Sequence, residues 1–146
     1  DVTEDAPGVW SFSNNGSTGG WKVDKNAALC TVKDGNMNYY IMSNAVSMWV
    51  ANLSIKASDY KTLTIRVKNT SDANAMRFFY RSDTVKDFGS PNRFNFPITS
   101  GDKDYKEYKI DLTQVTGYGG TINSLRLDFT GGNSGKVYID EIYLTR

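Results

Sequence analysis

Apolar and polar residues alternate with a period of two along most of the chain, and no window places apolar residues at i, i+3, i+4 and i+7 over the length a helix needs. The alternation predicts strands at 9–13, 21–24, 29–33, 36–42, 46–53, 62–68, 74–82, 93–98, 106–112, 122–129 and 136–144. Turn signals stand between them. Asn14-Asn15-Gly16-Ser17-Thr18-Gly19-Gly20 is a loop, Asp34-Gly35 is a dipeptide favoured in tight hairpins, and Asn69-Thr70-Ser71-Asp72 ends the strand at 62–68. A long loop, 83–92, joins the hairpin strands 74–82 and 93–98.

Short strands without helices between them point to an all-β sandwich. From residue 36 onward the strands fit a jelly-roll β-sandwich of two antiparallel sheets. One sheet would hold 36–42, 136–144, 62–68 and 106–112, and the other 46–53, 122–129, 74–82 and 93–98. Each strand then has one core face and one wet face. Leu63, Ile65 and Val67 alternate with Thr62, Thr64, Arg66 and Lys68, and Leu125, Leu127 and Phe129 with Ser124, Arg126 and Asp128. Trp10 and Trp21 flank strands near the chain start and are expected in the core; Tyr39 and Tyr40 point to opposite faces.

At 146 residues the chain suits one domain, with a core that needs no staples. The 17 Lys+Arg against 16 Asp+Glu leave a field too weak for wholesale polyanion binding, so no nucleic-acid partner is expected. His is absent from the composition, which removes the commonest general base, the Ser–His and Cys–His nucleophile pairs and most zinc and copper sites. The one Cys, Cys30, sits in Ala27-Ala28-Leu29-Cys30-Thr31-Val32 and reads as a buried structural thiol. No apolar run approaches the roughly 20 residues that cross a bilayer, and no membrane partner is expected. Residues 1–7, polar and ending in Pro7, read as a linker remnant, and 8–146 as a single module of a longer protein.

Candidate chemistry gathers on the hairpin. Met76, Phe78 and Tyr80 alternate with Ala75, Arg77, Phe79 and Arg81, while Phe94, Phe96 and Ile98 alternate with Arg93, Asn95 and Pro97. If the apolar triplets face the core, Arg77, Phe79, Arg81, Arg93 and Asn95 share one solvent face. The strand at 122–129 adds Arg126 and Asp128, and the strand at 46–53 adds Trp49, or Met48 in the other register. Guanidiniums suit bidentate carboxylate recognition and exposed aromatics suit the C–H faces of sugar rings. The bland alternative pairs these Arg residues with Asp83, Asp87, Asp128 or Glu141 and uses Phe79 to fill a gap under the long loop.

A second candidate is a sandwich end formed by the loops 14–20, 83–92 and 115–121, with Trp10, Trp21, Phe88 and Tyr118 nearby. Tyr118, in Gly117-Tyr118-Gly119-Gly120, has little side-chain cover and is its exposed stacking residue. For acid–base catalysis of glycoside cleavage, the carboxylates close in sequence are Asp102 with Asp104, Asp83 with Asp87 and Asp140 with Glu141. Most of these sit in turns, where Asp and Glu are ordinarily solvated or bonded to local backbone, so no enzyme activity is expected.

From about Trp21 onward the order of signals is similar to that of the galactose-binding-domain-like jelly-roll carbohydrate-binding modules of bacterial polysaccharide-degrading enzymes. The matching stretches run from Asn52 to Asn69, then Arg77-Phe78-Phe79-Tyr80, Asp104 to Leu112, Ile122-Asn123-Ser124-Leu125-Arg126-Leu127-Asp128, and Gly135 to Leu144. The resemblance implies a secreted or cell-surface, non-catalytic module whose partners are a polysaccharide and a catalytic domain in the same parent chain. It also implies a structural calcium ion with Asp140 at the C-terminal ligand position. The family usually has an acid directly after the first-strand Phe, and Phe12-Ser13-Asn14 departs from that. With the Arg-bearing face, the expected ligand is a glycan with acidic groups, of a xanthan or uronate type. The alternative is a structural or cell-surface adhesion sandwich without glycan affinity.

Overall fold

The computed structural model describes residues 5–24 and 30–146. Its elements are β1 (Val9–Trp10), β2 (Lys22–Val23), β3 (Cys30–Lys33), β4 (Asn36–Tyr40), β5 (Ala45–Val50), β6 (Ile55–Lys56), β7 (Thr62–Asn69), β8 (Ala75–Ser82), β9 (Phe94–Pro97), β10 (Lys106–Asp111), β11 (Thr121–Thr130) and β12 (Lys136–Thr145). One sheet runs β10-β7-β12-β4-β3, with β1 paired to β12, and the other β2-β5-β11-β8-β9, with β6 paired to β11. All pairings are antiparallel. The expected order of the eight jelly-roll strands holds in both sheets. The two-residue β6 was not anticipated, and the expected start of a strand at Leu29 lies outside the described residues.

Period-two alternation builds the core. Met37 and Tyr39, Leu63, Ile65 and Val67, and Val137, Ile139, Ile142 and Leu144 face inward from one sheet. Met48 and Val50, Met76, Phe78 and Tyr80, and Leu125, Leu127 and Phe129 meet them from the other. Trp10 and Trp21 are buried edge to face, with ring centroids 5.4 Å apart. Tyr39 is buried and Tyr40 is exposed, as their opposite pleat directions require. Cys30 is half-buried rather than buried, because β3 is an edge strand; burial nevertheless pushes its thiol pKa up, away from the reactive thiolate.

Two register shifts change the phase. One falls between Ile122 and Ser124 on β11, the other between Ile139 and Glu141 on β12, so that Asp140 and Glu141 stand together between core positions Ile139 and Ile142. Asp34 and Gly35 have φ of 56° and 81°, the left-handed pair that lets a two-residue turn follow the strand twist. Asp5 is tied to the body of the sandwich through Ser11. Its carboxylate accepts from the Ser11 N–H at 2.9 Å and the Ser11 hydroxyl at 2.7 Å.

Asp102 fastens the 98–105 segment to the end of β7. It is buried and accepts from the Asn69 N–H at 3.0 Å, Thr99 Oγ1 at 2.6 Å and Lys106 Nζ at 3.1 Å. Burial pushes its carboxyl up, but the Thr99 hydroxyl, the Asn69 N–H and the Lys106 ammonium outweigh that, leaving the pKa below its ordinary value. A depressed folded pKa stabilises the fold above the ordinary carboxylate pKa near ~4, and the contribution is lost as pH falls through the folded value. Asp102→Asn is therefore expected to cost roughly 1–3 kcal/mol at neutral pH. In urea melts the gap to the parent should narrow below about pH 4. A gap that persists unchanged into acid would contradict this assignment.

Candidate functional site

The outer face of the β2-β5-β11-β8-β9 sheet is organised in rows by strand register. Lys22 pairs with Trp49, Trp49 with Arg126 and Arg126 with Phe79. In the next row Ser47 pairs with Asp128, Asp128 with Arg77 and Arg77 with Asn95. Arg81 lies opposite Ser124. Trp49 rather than Met48 takes the outer position, because Met48 fills the core at 0% exposure. The expected face is assembled, with Lys22 as an addition. The sequence shows that Lys22 alternates with buried Trp21, but not that β2 pairs with β5.

Asp128 has no exposed surface and sits between two guanidiniums. Arg126 gives it a two-pronged clamp, Nε to Oδ1 at 2.8 Å and Nη2 to Oδ2 at 3.0 Å, and Arg77 Nη2 approaches Oδ2 at 3.4 Å. Asp128 was expected among the ligand-binding residues. Its location on a central strand beneath these two side chains makes it the counter-charge that holds Arg77 and Arg126 in place.

Phe79 also departs from expectation. It is only 6% exposed, because the Arg126 guanidinium lies 4.5 Å from its ring centroid and Phe88 meets it edge to face at 6.4 Å. Phe79 is thus a floor under the face and not a stacking platform, as the bland alternative supposed. Phe88, expected at the loop end, is folded onto this face and also carries Arg81, whose guanidinium is 4.3 Å from its centroid. Arg93 and Asn95 are exposed, while Arg77, Arg81, Arg126 and Trp49 are half-buried. The Nε atoms of Arg77 and Arg81 are buried without a hydrogen-bond partner.

At the loop end, 83–92 and 115–121 do meet. Asn92 Nδ2 donates to the Thr116 carbonyl at 3.0 Å, and Asp83 accepts from the Thr121 N–H at 3.2 Å. Gly120, with φ +65°, is needed there, since a Cβ would collide with the Asp83 carboxylate. The 14–20 loop is tied to the β3–β4 hairpin through Gly16 N–H to the Val32 carbonyl at 2.8 Å. Tyr118 is half-buried, with its ring edge-on to Tyr80 at 5.2 Å and its buried hydroxyl unpaired. Burial, and then the nearby Tyr80, push its pKa up to about 12. The glycines around it turn the loop inward, so it does not provide the exposed platform expected of it.

Asp140 lies on the opposite sheet, where Arg66 Nε donates to its carboxylate at 2.9 Å. Among the described residues no group of three or more His, Cys, Asp or Glu is placed to hold a metal ion. Calcium takes six to eight oxygens, and a guanidinium already occupies the one candidate carboxylate. Among the described residues no such donor set is gathered around Asp140.

No family model matches the sequence, and no curated protein is similar enough in sequence to serve as a relative. Solved structures do match. A family 28 carbohydrate-binding module specific for non-crystalline cellulose superposes with a TM-score of 0.70 at 12% identity, over 100% of this chain and 99% of that one. The family 11 carbohydrate-binding module from Clostridium thermocellum, solved with a β-1,3-1,4-mixed-linked tetrasaccharide, gives 0.58 at 19% identity over 97% of each chain. The K1 cleaved adhesin domain of Lys-gingipain from Porphyromonas gingivalis gives 0.63 at 14% identity, over 94% of this chain and 96% of that one. The likeness is one of fold. The chain has the jelly-roll sandwich of the carbohydrate-binding modules.

Asp128→Ala would leave two half-buried guanidiniums without their shared carboxylate. Breaking a fully buried pair costs about 3–5 kcal/mol; with both Arg partners partly solvated, roughly 1–3 kcal/mol is expected. Urea denaturation checks this, and a loss below about 0.5 kcal/mol would show that the clamp does not hold the face.

Proposed function

We propose that this domain is a non-catalytic carbohydrate-binding module, secreted or displayed at the cell surface, that holds a parent polysaccharide-degrading enzyme on a glycan carrying acidic groups. The observation that carries the reading is the face itself: Arg77, Arg81 and Arg126 stand on it, Arg93 lies just before β9, and Asp128, the carboxylate that pairs with Arg77 and Arg126, is inaccessible. Trp49, half-exposed beside Arg126, offers ring surface to a pyranose C–H face, and Asn95 offers an amide to vicinal hydroxyls. Arg93, exposed where the chain enters β9, supplies a further guanidinium for a uronate or pyruvate carboxylate.

One carboxylate of each pair considered for acid–base chemistry is engaged in holding the fold. Asp83 accepts from the Thr121 N–H, Asp102 from three donors and Asp140 from Arg66. That supports binding rather than catalysis. Tethering a modest binder to a catalytic domain raises the enzyme's effective concentration on its polymer. The adhesin likeness fits a sandwich without glycan affinity equally well as a fold, and it is the Arg and Trp49 face that favours the glycan.

Affinity electrophoresis of the isolated domain tests the reading. Polygalacturonate or xanthan should retard it, more weakly as salt rises, because charge pairs on an exposed face are screened. Arg93→Ala and Trp49→Ala should each weaken retardation about tenfold, the equivalent of one charge-assisted or stacking contact, with the circular dichroism spectrum unchanged. Retardation by neutral glucans alone would remove the acidic specificity, and retardation by no polysaccharide would favour the adhesion or spacer role.

A further inference from the structure

The opposite sheet has an outer face of a different chemistry. Register sets Tyr138 between Lys68 and Asn38, and in the next row Lys136 beside Tyr40. Lys136 Nζ stands 4.7 Å from the Tyr138 ring centroid and 5.3 Å from that of Tyr40. Lys68 Nζ stands 4.7 Å from Tyr138 and 5.4 Å from Tyr105. Tyr105 is anchored at the far end by donating its hydroxyl to Asn36 Oδ1, with Arg66 5.0 Å from its ring. Three tyrosine rings are thus bridged by two ammoniums in one strip.

Two features separate this strip from an ordinary solvated face. Among the described residues, neither Lys68 nor Lys136 takes part in an ion pair. The strip also continues into Tyr40 and Met42, the large hydrophobic side chains left exposed, at 45% and 60%. A cation–π contact needs one face of a ring and leaves the rest of Tyr40 open.

We propose that this strip is a second glycan site, in which the tyrosine rings take sugar C–H faces and Lys68 and Lys136 pair with carboxylates on a separate length of an acidic polysaccharide. The inference rests on the reading of the domain as a glycan binder, and it makes the domain bivalent, because the sandwich core separates this strip from the Arg face. Single-stranded nucleic acid also suits rings and cations. Along this face, however, its phosphates would meet Glu107, Asp140 and Glu141 one row beyond Lys68 and Tyr138. The free hydroxyls of a glycan can donate to those carboxylates, which a phosphodiester backbone cannot.

The test compares the parent chain with two double variants, Tyr40→Ala with Lys136→Ala and Arg81→Ala with Arg93→Ala, each checked by thermal melting. The readouts are retardation in polygalacturonate gels and light scattering as the domain is titrated into polygalacturonate. The parent should bind and cross-link the polymer. Each double variant should still be retarded but lose cross-linking, with apparent affinity lower by about 10²-fold, the lower end of what linked sites give. If the Tyr40/Lys136 variant binds and cross-links like the parent, the strip is not a site and the Arg-face reading stands alone. A parent that neither polygalacturonate nor xanthan retards overturns the strip together with the acidic-glycan reading. Retardation by oligo(dT) and not by polygalacturonate would overturn the glycan as the strip's ligand.

Discussion

A carboxylate without solvent access, set near the end of the central strand β11, organises one whole face of this sandwich. Asp128 is tolerable there only because Arg126 closes on it from two residues away with both prongs of its guanidinium, while Arg77 adds a second positive charge across the strand pair. That clamp lays Arg126 over Phe79, and Phe88 then closes against both Phe79 and Arg81. The guanidiniums therefore stand in fixed positions before any ligand arrives. Preorganised arginines lose less freedom on binding than free ones, and that favours affinity for a planar anion.

The two longest strands give the molecule its two faces. β11 and β12 occupy inner positions in their sheets, each sends alternate side chains into one shared core, and each carries a bulge that resets the alternation. On β12 the bulge brings Asp140 and Glu141 together beside Arg66. Burial, with Asp140 and then Glu107 close by, raises the Glu141 carboxyl pKa. The acid row ends there, and the tyrosine and lysine row begins one step along the sheet. One face is thus ruled by arginines around a hidden carboxylate, and the other by tyrosines around lysines.

Much of this was legible because a pleated strand exposes every second residue. Alternation put Trp49 and Met48 on opposite faces without choosing between them, separated Tyr40 from Tyr39, and marked the eight strands that jelly-roll order groups into the sheets observed. It failed where a side chain's surroundings come from a distant segment. Phe79 has the pleat direction of an exposed residue, and only the fold of the 83–92 loop, which brings Phe88 over it, buries it. The glycines around Tyr118 announce a turn without saying that the ring drops onto Tyr80. Asp140 is held by Arg66, 74 residues away, through a strand pairing that local pattern does not contain. β6, two residues long, is too short to show any period.

The central claim is that an acidic glycan meets the arginine and Trp49 face, and a nitrogen-15 NMR titration with an oligogalacturonate addresses it most directly. The side-chain N–H signals to follow are the Trp49 indole and the Nε groups of Arg77 and Arg81, which are buried and unpartnered in the free protein. The account predicts saturable shifts of these signals, with the core Trp21 indole unmoved. Saturable shifts confined to the loop end around Tyr118, with the arginine and Trp49 signals unchanged, would contradict it.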